Sequence, residues 1–546
     1  MRNRCAVILS VLLTVAASLF WQWNVQSQDH PLRLIVVISV DQMRADYLTR
    51  FAPLYTGGLA RLLHEGAVFS NAFYRHSSTE TGPGHAVILT GKHGSHSGIV
   101  ANGWYDSFLK ADVNVVDDPL RTPVGGTGRG GSPTNLLAIT LGDAMKWKTP
   151  GTRVYTVSIK DRAAILMGGK MADAAYWYDA STGHFMTSSY YAKQLPDWLE
   201  KWNEKPYPDS YAGGKWDRLR NDPKLYEKYA GPDAVEGEWD RKDIVFPHLV
   251  RGKPATAEFY GEFRRMPFAD DMTLQVALQT LHQNKLGSGN VVDLLTIGLS
   301  TTDYIGHTYG PDSQEIMDQM LRLDLALGKL FQEIDASVGM SSTMVVLTAD
   351  HGVMPLVEVL QQRGIQAQRI PPARIEQAVK DALAVKFPGV DDLVASFYTP
   401  SVYLNEPSLV KHKIRREDVE DTIKSALMST GLVELAYTQR DFATGPHPGD
   451  AVYELFRNAY FAPRSPHVVA AMKPYIYCDD YPGGTTHGTH YDYDRHVPMV
   501  FLGSSIKRGT YAGACGPEDI APTLAAILRL QFPQEDDARI LTEMFP

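Results

Sequence analysis

Cysteine is nearly absent. The chain of 546 residues has three, Cys5, Cys478 and Cys515. That excludes a disulfide-dense scaffold, and with no CxxC pair it leaves any metal to histidines and carboxylates. Cys5 lies in the N-terminal apolar run, so Cys478 and Cys515 either pair or stay as two free thiols, and spacing does not decide between them. A basic excess is missing too. There are 53 Lys and Arg against 62 Asp and Glu, a formal charge of -9, which argues against sequence-blind binding of nucleic acid. Internal repeats and long low-complexity linkers are absent. What remains is globular composition, 44% hydrophobic and 21% charged, with enough chain for several layers of core. At about 150 residues per domain the length alone suggests roughly three or four domains.

The N-terminus stands apart. Met1-Arg2-Asn3-Arg4 precedes a nearly uncharged apolar run from Cys5 to Trp21, the pattern of an export signal. Arg2 and Arg4 are not adjacent, so a twin-arginine signal is not supported. No clear small-x-small cleavage site precedes Gln28, which leaves open both a removed signal over residues 1–28 and an uncleaved membrane anchor. The expected location is periplasmic or secreted, with anchoring to the inner membrane as the second option.

Further on, short apolar runs rich in β-branched residues recur and end in chemistry. Leu34 to Val40 reads as a strand buried on both faces and ends in Asp41. Val154 to Ser158 leads into Lys160-Asp161-Arg162, and Val291 to Leu299 into Asp303 and His307. Met344 to Leu347 leads into Asp350-His351, and His487 precedes a last run, Val497 to Leu502. Between the runs lie helical patterns; Ile316, Met320, Leu323, Leu327 and Leu330 mark one face. Such alternation implies an α/β fold with a doubly wound, mainly parallel sheet and helices on both faces. It would be one catalytic domain over residues 34–535. Two stretches break the alternation and read as inserted cap subdomains. Residues 176–267 form an irregular, aromatic-rich insertion, and residues 355–474 a small α/β insertion.

Open α/β sheets bind ligands at the C-terminal ends of their strands. Asp41, Asp303, His307, Asp350, His351 and His487 all gather there in this reading, and oxygen and nitrogen donors without thiolates suit Zn²⁺. Three carboxylates and three imidazoles are enough for two ions, and two metals about 3.5–4 Å apart can hold the attacking and leaving oxygens of a phosphoryl transfer. Singly, each residue has a plainer role as a turn cap or a hydrogen-bonded histidine. The stretch Ser77 to His85 has a similar double reading. Thr79 or Thr81 is an ordinary N-cap, or one of them is a hydroxyl held at the positive end of a helix. Lys160 and Arg162, two apart on an extended segment, would leave one face and could grip an anion together.

The motifs Val40-Asp41-Gln42-Met43-Arg44, Thr79 to His85, Gly98 to Asn102, Lys160-Asp161-Arg162, Asp303 to His307, Ala349 to Gly352 and His487-Gly488-Thr489 occur in this order. Together they resemble bacterial alkaline phosphatases that use a threonine nucleophile and a Lys/Arg phosphate clamp. These belong to the alkaline phosphatase superfamily, related to type I phosphodiesterases and nucleotide pyrophosphatases. The resemblance implies a zinc-dependent phosphate monoester hydrolase acting through a phosphothreonine on Thr81. It implies two Zn²⁺ per chain, one on Asp303, His307 and His487, the other on Asp41, Asp350, His351 and Thr81. Asn102, Lys160 and Arg162 would bind the phosphate oxygens. Small phosphorylated metabolites are the expected substrates and a monomer the expected state. His85, His93, His96 and His490 would be supporting or structural.

Two enzyme alternatives and one of another class are kept in view. A phosphodiesterase or nucleotide pyrophosphatase would share the metal ligands but exchange the Lys160/Arg162 clamp for room for a second ester group. A sulfatase needs a residue convertible to formylglycine, which Thr81 is not. A secreted, non-catalytic phosphate- or metal-binding protein would keep the ligands without turnover.

Overall fold

The computed structural model describes residues 31–546 apart from 240, 241, 448, 505, 534 and 536. The export segment inferred from the sequence, residues 1–28, lies outside the described residues. No helix among the described residues is long and apolar enough to cross a membrane.

Ten strands form the main sheet. In chain order they are β1 Leu34–Val40, β2 Ala67–Phe69, β3 Pro123–Val124, β4 Val154–Ser158, β5 Ala174–Asp179, β6 His184–Ser188, β7 Asp293–Leu299, β8 Thr343–Thr348, β9 Met499–Leu502 and β10 Gly509–Tyr511. Their spatial order is β10-β2-β9-β8-β1-β7-β4-β5-β6-β3. The central five, β8 to β5, are parallel. Antiparallel strands flank them, β9 beside β8 and β6 beside β5. The doubly wound, mainly parallel sheet read from the sequence is therefore present, with β9 running against it.

β1 shows why the core has two sides. Every residue from Leu34 to Val40 is buried. Leu34, Val36, Ile38 and Val40 enter one apolar cluster, Ile35 and Val37 the other, as the two-residue repeat of a strand requires. Each such side chain contributes about 1.5–3 kcal/mol by leaving water. Helices cover both faces. Gln314–Ser337 packs Ile316, Met320, Leu327 and Leu330 on the first, and Ile520–Ile527 packs Ile520 and Leu524 on the second.

Register places the chemistry. Val40 pairs with Leu299, Ser39 with Thr348 and Gly298 with Ser158. Strands β1, β7, β8 and β4 thus end level, and the residues that follow them share one sheet edge.

The two atypical stretches differ. Residues 176–267 are less irregular at the start than the sequence suggested, because β5 and β6 belong to the main sheet. Tyr176, Trp177 and Tyr178 are all buried there, so consecutive aromatics hide the alternation. The remainder is short helices and a ribbon pairing Lys215–Trp216 with His248–Leu249. It is tied to the core through Asp318, which accepts from Trp216 Nε1 at 2.7 Å and from Leu219 N at 2.6 Å. Residues 355–474 carry a sheet of their own, ordered Val394–Tyr398, Ser401–Leu404, Val468–Met472 and Val433–Thr438. Ile375, Val379 and Leu383 from one helix meet Val419, Ile423 and Leu427 from another in a separate apolar cluster. Cys478 and Cys515 are free thiols, and burial pushes both up to about 12.

Candidate active site

Thr81 opens helix α1, Thr81–Thr90, and is buried. Glu80, extended, occupies the N-cap position without a side-chain cap bond, so neither Thr79 nor Thr81 is the capping residue. Thr79 instead donates its hydroxyl to Thr489 O at 2.7 Å. Helix α1 can approach the end of β8 because residue 84 is glycine. A Cβ there would lie 2.2 Å from Asp350 O and 2.7 Å from Asp350 Cβ.

Around the Thr81 hydroxyl stand two cations. Lys160 Nζ lies 3.2 Å and Arg162 Nη2 3.4 Å from Oγ1. They reach it differently from the expectation of a shared extended segment. Lys160 is the extended residue before helix α2, Asp161–Gly168, and Arg162 sits in that helix's first turn. The two-residue spacing therefore does not bring them together by strand alternation; the helix entry does. Asn102 completes the rim. Its carboxamide oxygen accepts from Gly82 N at 2.7 Å, which leaves its NH₂ group free to donate to an anion. Its backbone N–H donates to Glu80 Oε2 at 2.7 Å. Glu80 in turn accepts from Tyr398 OH at 3.1 Å, a contact from the stretch 355–474.

Two groups of candidate metal ligands flank this centre. One is Asp41, Asp350 and His351, the other Asp303, His307 and His487; within each, the ligand atoms lie within 4.8 Å of one another. Helix α3, Thr301–Tyr309, presents Asp303 and His307 one turn apart. His487 arrives on a loop whose Gly484 has φ +76°, where a Cβ would stand 2.4 Å from His307 O.

The donor atoms fit a divalent cation. All three imidazoles turn Nδ1 to a backbone carbonyl: His307 to Thr485 O at 2.7 Å, His351 to Gly352 O at 2.9 Å and His487 to Thr79 O at 2.7 Å. A carbonyl only accepts, so Nδ1 carries the proton and Nε2 keeps its lone pair toward the group. Asp41 Oδ1 is buried without a hydrogen bond, and Asp41 Oδ2 and Asp350 Oδ2 have only the ion-pair contacts of Lys160 and of His85 and His351. Buried acceptors left in this way are costly unless a cation meets them. Lys160 supplies part of that charge, with Nζ 2.7 Å from Asp41 Oδ2 and 2.6 Å from Asp303 Oδ2.

The titrations follow. Burial, and then repulsion from Asp350, hold Asp41 well above the usual carboxylate range while Lys160 opposes them. Burial also works against ionisation of Asp303 and Asp350, yet Lys160 and His307 hold the first well below that range. His351 and His85 do the same for the second. Burial pushes His351 and His487 down, toward the neutral form that binds metal.

All ten residues singled out from the sequence, Asp41, Thr81, Asn102, Lys160, Arg162, Asp303, His307, Asp350, His351 and His487, meet at this one edge. Three contributors went unread. Gln42 bridges the two ligand groups, its backbone N donating to Asp350 Oδ1 at 3.0 Å and its Nε2 to Asp303 Oδ1 at 2.8 Å. It does so with φ +65°, a strained conformation outside glycine. Glu80 and Tyr398 are the other two. His85 lies beside the site, with Nδ1 2.8 Å from Thr81 O and 3.2 Å from Asp350 Oδ2. His93 and His96 lie elsewhere, beside Asp537 and Glu535.

The sequence pattern describing type I phosphodiesterase / nucleotide pyrophosphatase matches residues 35–494. The chain belongs to this family. Within it, the chain is 33% identical over 525 residues to alkaline phosphatase PafA of Elizabethkingia meningoseptica, covering 94% of each. It is 32% identical over 526 residues to alkaline phosphatase PhoV of Synechococcus elongatus, covering 94% of this chain and 92% of that one. The crystal structure of wild-type PafA superposes with a TM-score of 0.87 at 32% identity, over 94% of this chain and 99% of PafA. The alkaline phosphatase-like α/β fold expected from the motifs is thus the fold of this family member.

Proposed function

We propose that this family member is an alkaline phosphatase, a zinc-dependent phosphate monoester hydrolase that works through a phosphothreonine on Thr81. One observation carries the reading. A buried hydroxyl at a helix N-terminus lies within 3.4 Å of both a lysine and an arginine, between two groups of carboxylate and imidazole ligands. The alkaline phosphatase relatives support it.

The residues divide the work. Lys160, the Arg162 guanidinium and the free NH₂ of Asn102 take the non-bridging oxygens of the phosphoryl group, matching the two charges of a monoester. Thr81 Oγ1 bonds to phosphorus as the bond from phosphorus to the alcohol oxygen breaks. Water then cleaves the phosphothreonine, restoring the hydroxyl and releasing inorganic phosphate. Asp41, Asp350 and His351, with Thr81 itself, would hold one Zn²⁺, and Asp303, His307 and His487 the other. Zinc in these places supplies positive charge against the threonine alkoxide and the departing oxygen. A threonine hydroxyl is otherwise a weak nucleophile.

Phosphate esters are the substrate class, with small phosphorylated metabolites as the proposed natural substrates. The Met1 to Trp21 sequence supports a periplasmic or secreted enzyme. A panel of a phosphate monoester, a diester and a sulfate ester tests the reading. Chelation should abolish monoester turnover and zinc restore it. Preferential diester cleavage would make the protein a phosphodiesterase, and no turnover after zinc loading would leave a binding protein.

A further inference from the structure

Next to the reaction centre lies a cavity of about 470 Å³. It meets the centre at Asn102 and His487, and its far wall comes from the stretch 355–474 and the loop after it, with Tyr398, Phe456 and Asp479 among the lining residues. Glu80 joins the two walls through its bond with Tyr398.

The charge of this lining contrasts with that of the phosphate clamp. Among the described residues that line it there is no lysine and no arginine, while Glu80 and Asp479 both do. The cations near Thr81 are Lys160 and Arg162, which contact its hydroxyl and do not line the cavity. One side of the site is therefore built for an anion and the other carries carboxyl groups and aromatic rings.

We propose that this cavity is a leaving-group subsite. It selects phosphate monoesters whose alcohol part is neutral or cationic and presents aromatic or aliphatic surface. It discriminates against alcohols carrying a further phosphate or a carboxylate. The inference rests on the phosphatase reading above. With the phosphoryl group on Lys160, Arg162 and Asn102, the alcohol is directed past Asn102 and His487 into the cavity. A second anion there meets Asp479 and the Glu80 carboxyl group with no lysine or arginine to receive it, and like charge is unfavourable. A cation there is attracted by the carboxyl groups and by ring faces.

Asp479 is the position to vary, because its loop is anchored by the main chain, with Asp479 N donating to Ile370 O at 3.1 Å. The test compares kcat/KM of zinc-loaded enzyme for three phenyl phosphates at fixed ionic strength. They carry a para trimethylammoniomethyl, methyl or carboxymethyl group, the methylene limiting the effect on the leaving oxygen. The wild type should favour the cationic over the anionic ester by about tenfold or more, which is within what one unit-charge contact near a protein surface supplies. Asp479→Asn should shrink that ratio and Asp479→Lys abolish or invert it. A wild-type ratio near one, or a ratio unchanged in Asp479→Lys, overturns the subsite. Failure to hydrolyse any of the three overturns the phosphatase reading and the subsite with it.

Discussion

The Lys160 ammonium stands 2.6 Å from Asp303 Oδ2, joining the phosphate clamp to a ligand group. The same nitrogen is 2.7 Å from Asp41 and 3.2 Å from Thr81 Oγ1, so one side chain touches both ligand groups and the nucleophile. Removing it uncovers buried carboxylates as well as losing a phosphate contact. Lys160→Ala should lower monoester turnover by about 10²-fold or more. It should also lower the stability of chelated protein by about 3 kcal/mol, the scale of a broken buried pair. Urea unfolding with and without zinc checks this, and the deficit should narrow when zinc is present.

Gln42 offers a separation of roles. Its backbone N–H holds Asp350 and its side chain holds Asp303, at φ +65°. Gln42→Gly keeps the first bond, relieves a left-handed conformation that costs about 1–2 kcal/mol, and deletes the second bond. Thermal stability of the chelated protein should be maintained while zinc affinity falls about 10–100-fold, measured by competition with a chromophoric chelator. Unchanged affinity would remove Gln42 from the support of Asp303.

Gly84 tests the packing of the nucleophile helix. A Cβ at 2.2 Å from Asp350 O forces backbone apart, and overpacking of this kind costs about 1–3 kcal/mol. Gly84→Ala should lose both metal and turnover, whereas Gly82→Ala, whose Cβ would be 3.2 Å from Ala101 O, should fold with the smaller deficit. Metal content and melting temperature of the two variants decide it.

These residues also mark how far the sequence could be read. Strands β1, β4, β7 and β8 show in the sequence as short, largely apolar runs, and Asp41, Lys160, Asp303 and Asp350 follow within a few positions of their ends. Gln42 was unreadable because its role depends on the level at which β1, β7 and β8 end. Tyr398 reaches Glu80 across 318 positions, a contact no local pattern encodes. Lys160 and Arg162 come together at Thr81 not through strand alternation, which the two-residue spacing suggests, but because helix α2 begins between them. An apolar run also carries no direction, so β9 could not be known to run antiparallel.

A pH effect follows from Asp270, which accepts from Thr301 N at 3.2 Å and from Gln319 Nε2 at 2.7 Å. Burial pushes it up to about 7 from 3.8. The folded protein therefore binds a proton that the unfolded chain has released between those values. Stability falls as pH rises through that window, and the cost is fully present above it. Asp270→Asn removes the cost, so its stability advantage over the wild type should be greater at pH 8 than at pH 5 by on the order of 2 kcal/mol. Urea unfolding of chelated protein at the two pH values measures the difference, and an equal effect at both would contradict it.

The central claim is that phosphate passes through Thr81. Zinc-loaded protein mixed with a phosphate monoester, quenched in acid over a series of times and digested for mass spectrometry, reads this directly. Phosphate should appear on Thr81 and decay as substrate is exhausted, and Thr81→Ala should retain its metal but lose the label and most of the turnover. Sustained phosphate release with Thr81 unlabelled at every time, or a label on another residue, would contradict the account.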